Sequence, residues 1–131
     1  MSLNLNDKEI LLFYKPGRKK DKNTLNLAKQ VSAHINDRDV TMDPPTETQI
    51  TEIIQLLDRP ISDLIDRESE PFKRQYQNSD LTDDQWLKAI TNEPDLLKTP
   101  IAFKGKRGII VDTPSDVLDL DPNKGYNSIN G

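Results

Sequence analysis

Apolar residues fall along this chain in two rhythms. Residues 9–15, EILLFYK, are an aliphatic and aromatic run that stops at Pro16-Gly17, the pattern of a strand running into a turn. Beyond Asp21, which is suited to be an N-cap, KNTLNLAKQVSAHIN places Leu25, Ala28, Val31 and Ile35 near helical spacing on one face. RDVTMD (38–43) reads as a second short strand closed by Pro44-Pro45. A strand, a helix and a strand in so short a stretch predict a βαβ unit with a right-handed crossover.

The middle of the chain changes to a helical period. Thr46-x-x-Gln49 and Thr82-x-x-Gln85 both have capping-box spacing. The first opens a helix with Ile50, Ile53, Ile54 and Leu57 as its apolar stripe, and the second a helix carrying Trp86, Leu87 and Ile90. Between them PISDLIDRESEPFKRQY reads as short helices with a polar link. PIAF and GIIV are then strand-like runs separated by Lys104-Gly105-Lys106-Arg107, a hairpin with glycine in its connection. TPSDVLDL follows as a terminal helix capped by Thr113, with Pro114 at its first position.

The order is β-α-β, a helical block, then β-β-α. A parallel pair joined to an antiparallel hairpin predicts an α/β fold, a four-stranded mixed sheet flanked by helices in the thioredoxin-like layout. The expected organisation is a single domain over residues 7–120, with a helical insertion at about 46–97 before the hairpin. The Asn- and Gly-rich stretch 121–131 is expected to be a flexible C-terminal tail.

Composition narrows the chemistry more than the architecture. The chain has 131 residues, enough for one core, and its 34% apolar and 31% charged residues fit a small core under a heavily solvated exterior. With no cysteine there can be no disulfide, thiolate metal site, thiol nucleophile or dithiol redox couple formed by its own residues. A single histidine, His34, lacks the partners that a zinc site or a catalytic triad needs, and it is expected near the C-terminal end of the first helix. The net charge of −4 argues against direct nucleic-acid binding and against attraction to anionic lipid. The start of the chain lacks the basic and apolar regions of a signal peptide, and no run reaches the roughly 20 apolar residues of a membrane span. A cytoplasmic protein with no membrane association is the expectation, and neither a cofactor nor a metal site is expected.

One stretch concentrates unusual charge. In FYKPGRKKDKNTLNLA, Lys15, Arg18, Lys19, Lys20 and Lys22 crowd a strand-loop-helix junction, opposed only by Asp21. A helix N-terminus favours anions through its free N–H groups and dipole, so the loop is a candidate site for a small anion or an acidic partner. The plainer reading is a solvated basic loop. Cations there are mildly unfavourable to the helix dipole, by a few tenths of a kcal/mol each, a cost that a bound anion or solvent screening would relieve. Lys104, Lys106 and Arg107 form a second basic cluster, read as protection of the hairpin edge.

Three stretches in order resemble the arsenate reductase (ArsC) and Spx-like branch of thioredoxin-fold proteins: FYKPGRKKDKNTLNLA, LIDRESEPF (64–72) and EPDLLKTPIAFKGKRGIIVDTPSDVL. The resemblance spans residues from about 9 to 119. In reductases of this family the loop carries a cysteine nucleophile, activated at a helix N-terminus. Here Arg18 stands in its place, and a guanidinium can neither attack nor form a mixed disulfide. Arginines that hold the oxyanion in the family are matched by Asp66, Thr99 and Thr113. Pro100 is kept, which implies a cis Thr99–Pro100 bond that brings Thr99 near Arg18.

The resemblance implies a protein that has lost its redox centre, with no catalytic residue of its own. It is expected to bind or regulate through the former active-site surface formed by Lys15, Gly17, Arg18, Lys19, Lys20, Thr99 and Pro100. Spx-like relatives dock on the RNA polymerase alpha subunit, so a protein partner of that kind is one expectation and a small anion another. The alternative is an arsenate reductase-like oxidoreductase that relies on an external thiol from glutathione or a partner protein.

Overall fold

The structure is a computed structural model in which residues 3–121 are described. It clusters into two compact units, Asn4–Asp39 with the segment from Thr99 onward, and Leu3 with Val40–Lys98. The flexible tail expected at 121–131 lies, but for Asp121, outside the described residues. Among the described residues, no helix is long and apolar enough to cross a membrane.

The first unit holds the sheet. Its strands are β1 (Glu9–Tyr14), β2 (His34–Asp39), β3 (Ile101–Lys104) and β4 (Arg107–Ile110), in the order β2-β1-β3-β4. β1 runs parallel to β2 and antiparallel to β3, and β3 and β4 form the hairpin, which is the mixed four-stranded sheet expected. Helix α1 (Lys19–Ala28) and a closing 3-10 helix, Pro114–Leu120, pack on this sheet. Ile10, Leu12, Ala28, Ala102, Val111, Val117 and Leu120 form their shared core. The central strands read as nearly continuous apolar runs because they are buried along their length.

The hairpin turn depends on Gly105, whose φ of +59° suits a residue without a Cβ. Its N–H donates to the Asn6 carbonyl at 3.0 Å, and Lys104 Nζ donates to the carbonyl of Asp7. Part of the basic cluster at this turn therefore ties the hairpin back to the chain before β1.

Three local expectations are corrected. The N-cap of α1 is Arg18, not Asp21, and the helix begins at Lys19. The helix ends at Ala28, so His34 is the first residue of β2 and not part of a helix terminus. β2 itself lies at His34–Asp39, four residues earlier than the apolar pattern indicated. The physical reason is that β2 is an edge strand in which no residue is buried and all but Ile35 are polar, HINDRD, so it leaves no apolar alternation to read. Its start is fixed by a hydroxyl: Ser32 Oγ accepts the His34 N–H at 3.1 Å and donates to the Lys8 carbonyl at 2.8 Å.

The second unit is helical. α2 (Glu47–Leu57) and α3 (Asp83–Asn92) each start with the expected capping box, from Thr46 with Gln49 and from Thr82 with Gln85. Between them lie a 3-10 turn, Ile61–Leu64, and a π-helical turn, Phe72–Tyr76. Trp86 is buried, stacked on Phe72 with ring centres 6.4 Å apart and tilted against Tyr76 at 5.7 Å. A bridge between Ile65 and Leu97 closes the unit, reinforced by the Asp66 N–H to Leu96 and the Lys98 N–H to Leu64, both 2.7 Å.

Candidate functional site

β1 delivers the chain to a tight turn over residues 15–18, in which the Arg18 N–H donates to the Lys15 carbonyl at 3.0 Å. Pro16 and Gly17 make that turn compact, and α1 starts immediately afterward with the Lys22 N–H on the Arg18 carbonyl at 3.1 Å. Arg18 is extended at the N-cap (φ −102°, ψ 132°) and supplies no side-chain cap. An arginine has no acceptor to offer the first-turn N–H groups.

Asp21, the third helical residue, is an acceptor for groups outside the helix. It is fully buried, and its Oδ2 accepts the backbone N–H of Lys15 at 2.8 Å and the hydroxyl of Thr99 at 2.6 Å. Asp21 Oδ1 is also buried and has no hydrogen-bond partner. A carboxylate in the first turn suits the helix dipole by about 0.3–1 kcal/mol, and more when sheltered from water. The same carboxylate ties the loop to the segment preceding β3. Beneath it Thr24, also fully buried, turns its hydroxyl to the Lys20 carbonyl at 2.8 Å.

The Thr99–Pro100 bond is cis, as expected, and both residues are buried. The partner of Thr99 is the carboxylate one turn into α1. Lys15 is buried to 7% exposure, whereas Gly17, Lys19 and Lys22 are exposed and Arg18 and Lys20 half-buried. The seven residues named from the sequence thus fall into a buried group (Lys15, Thr99, Pro100) and an outward group (Gly17, Arg18, Lys19, Lys20).

Asp21 is the site residue that sequence reasoning misplaced as a helix cap. The one available signal was its position as the lone acid in a run of cations, three residues inside a helix start.

Two other positions matched to family arginines have local duties. Thr113 donates its N–H to Asp116 Oδ2 at 3.0 Å and its hydroxyl to Asp116 Oδ1 at 3.2 Å, securing the start of the closing helix. Asp66 belongs to the helical unit, is buried, and accepts the Glu68 N–H at 3.0 Å. It lines an open depression of about 310 Å³ with Arg59, Asp63, Arg67 and Lys98. Arg59 there is paired to Asp63 at 2.7 Å, and the Arg67 guanidinium lies 5.3 Å from the centre of the Phe72 ring.

At the end of β1, Tyr14 donates its hydroxyl to Asp37 Oδ2 at 3.0 Å. Its phenol is held above its ordinary pKa, first by burial, then by that hydrogen bond and the negative charges of Asp37 and Asp39.

A mixed four-stranded sheet with a cis-proline before β3 and a loop feeding α1 defines a thioredoxin-like protein. Its sequence matches the ArsC family over residues 15–119, and the chain belongs to that family. It is 23% identical over 119 residues to the regulatory protein MgsR of Bacillus subtilis, covering 90% of this chain and 94% of that protein. An arsenate reductase from Vibrio cholerae has the same fold, with TM-score 0.78 and 20% identity over 88% of this chain and 99% of its own. A candidate arsenate reductase from Yersinia pestis matches with TM-score 0.77 and 24% identity over 84% of this chain and 98% of its own.

Proposed function

We propose that this ArsC-family protein is a cytoplasmic binding or regulatory protein that acts by contact and carries out no thiol chemistry. The observation that carries this reading is Arg18 at the N-cap of α1 in a chain that contains no cysteine. A helix N-terminus can lower the pKa of a thiol placed on it, but a guanidinium there offers neither nucleophile nor redox couple.

The contact region is the outward face of the loop: Gly17, Arg18, Lys19 and Lys20. Lys15, Thr99 and Pro100, being buried, support that face and do not touch the partner. A positive patch on a protein of net charge −4 suits a protein partner with an acidic surface, attracted locally and oriented by charge. The similarity to a regulatory protein supports the regulatory form of this reading. The Spx-like resemblance makes the RNA polymerase alpha subunit the first partner to test.

The test is a pull-down with the alpha subunit, and in parallel from lysate, comparing the wild-type chain with Arg18→Ala and Lys19→Ala. Recovery of a partner that falls with either substitution and with rising salt is expected. Equal recovery by all three proteins removes the loop as the contact region. Family membership favours one other reading, arsenate reduction with a thiol borrowed from glutathione or a partner protein. Turnover in an arsenate assay supplied with glutathione and glutaredoxin would establish that reading in place of ours.

A further inference from the structure

The basic loop invites the idea of a free oxyanion held at the mouth of α1, yet the donors nearest that mouth are already engaged. The Lys15 N–H and the Thr99 hydroxyl converge on one point, and Asp21 Oδ2 occupies it at 2.8 and 2.6 Å. Both side-chain members, Asp21 and Thr99, are fully buried. The second carboxylate oxygen, Asp21 Oδ1, is enclosed without a partner. A carboxylate selected only to cap a helix would face its own N–H groups and water. This one faces inward, engages two donors through one oxygen and leaves the other unmet.

We infer that the Lys15 N–H and Thr99 hydroxyl in front of α1 form a carboxylate-binding cradle whose resident ligand is the side chain of Asp21, and that this occupancy closes the cradle to external oxyanions. Two consequences follow from charge and volume alone. An incoming phosphate or sulfate would have to displace a covalently tethered carboxylate or lie against its unmet oxygen, and either is unfavourable. Trimming Asp21 to alanine should leave a small cavity with two donors and a helix N-terminus pointing into it, a place for a small free anion. This inference concerns the interior of the loop and does not depend on which partner its outer face meets.

The experiment has two arms. In the first, wild-type protein labelled with nitrogen-15 is titrated with sodium phosphate against sodium chloride of equal ionic strength, following the amides of Lys15, Asp21 and Thr99. No phosphate-specific shift is expected; saturable shifts at these amides would overturn the inference while leaving partner docking through Lys19 and Lys20 intact. In the second, the melting temperatures of wild type, Asp21→Ala and Asp21→Ala/Thr99→Val are compared in sodium formate and in matched chloride. Formate should raise the melting temperature of Asp21→Ala by about 3 °C or more beyond chloride, as for a ligand at ten times its dissociation constant. Wild type should gain nothing specific, and the double variant should lose most of the gain. A folded Asp21→Ala that responds alike to formate and chloride overturns the inference. If Asp21→Ala does not fold, the phosphate arm on the wild type decides alone.

Discussion

Replacing Asp21 by alanine probes the strongest structural statement at the site, because the Asp21–Thr99 hydrogen bond joins residues 78 positions apart. The substitution strands two buried donors, the Lys15 N–H and the Thr99 hydroxyl, at about 1–3 kcal/mol each. It also forfeits the favourable interaction with the α1 dipole, about 0.3–1 kcal/mol. Against this, it removes the unmet Oδ1, whose burial costs about 1–3 kcal/mol. At mid-range these terms balance to a loss of roughly 2.5–3 kcal/mol. Thr99→Val keeps the shape and deletes one donor, for a loss of about 1–2 kcal/mol. Because both changes break the same bond, the double variant should cost less than their sum by about 1 kcal/mol or more. Urea unfolding followed by far-ultraviolet circular dichroism measures all four proteins, and for Asp21→Ala the midpoint should fall by roughly 1–2 M. A loss below about 0.5 kcal/mol, the range of an ordinary surface substitution, or strict additivity in the cycle would refute the buried carboxylate link.

Gly108 faces Phe103 across the β3–β4 pair, and a Cβ there would meet Phe103 Cε1 at 2.3 Å and Cδ1 at 2.5 Å. Phe103 is fully buried with no room to yield, so Gly108→Ala should lose about 1–3 kcal/mol in the same urea assay, and a neutral result would discount this packing. The raised phenol of Tyr14 keeps its proton longer in the folded than in the unfolded chain, so its contribution to stability is fully present below pH about 10 and is lost as pH rises through the folded pKa. Absorbance titration at about 295 nm should show an ionisation beyond the ordinary tyrosine range; it should vanish in Tyr14→Phe, and an unchanged titration would exclude the assignment. Arg18→Cys places a thiol at the N-cap, where the dipole favours thiolate but the nearby Asp21 opposes it. Iodoacetamide should therefore alkylate it severalfold more slowly at neutral pH than the cysteine of Arg18→Cys/Asp21→Ser, and equal rates would mean that Asp21 exerts no influence on the loop.

The sheet was legible because its central strands carry their burial in the sequence: ILLF and IAF are apolar runs with no competing helical period, and Gly105 marks the hairpin. Both capping boxes were legible because the Thr-x-x-Gln signal is local and complete within four residues. β2 was not, since a strand on the sheet edge takes its conformation from hydrogen bonds to β1, and its single apolar residue, Ile35, gives no alternation to read. The shift moved His34 from a supposed helix end to a strand. The role of Asp21 was hidden for a different reason. An aspartate near a helix start reads equally as a cap or as an inward ligand, and only the distant Thr99 distinguishes the two. Locally, the cap was the expected choice; the long-range donor overrode it.

The separation of charge at this loop follows from Arg18 and Asp21 together. With an arginine at the N-cap and exposed Lys19 on the first helical residue, α1 has no acceptor at its outermost positions and several charges of the wrong sign for its dipole. One interior negative group offsets that arrangement without neutralising the surface, because burial keeps Asp21 away from solvent and from the outward lysines' contact face. Had the acid been placed outside, it would have paired with its neighbours and erased the positive patch. Placed inside, it stabilises the helix start while Lys19 and Lys22 stay exposed. A loop organised in this way is suited to recognition by an acidic surface, and poorly suited to closing around a small oxyanion that would compete with its own carboxylate.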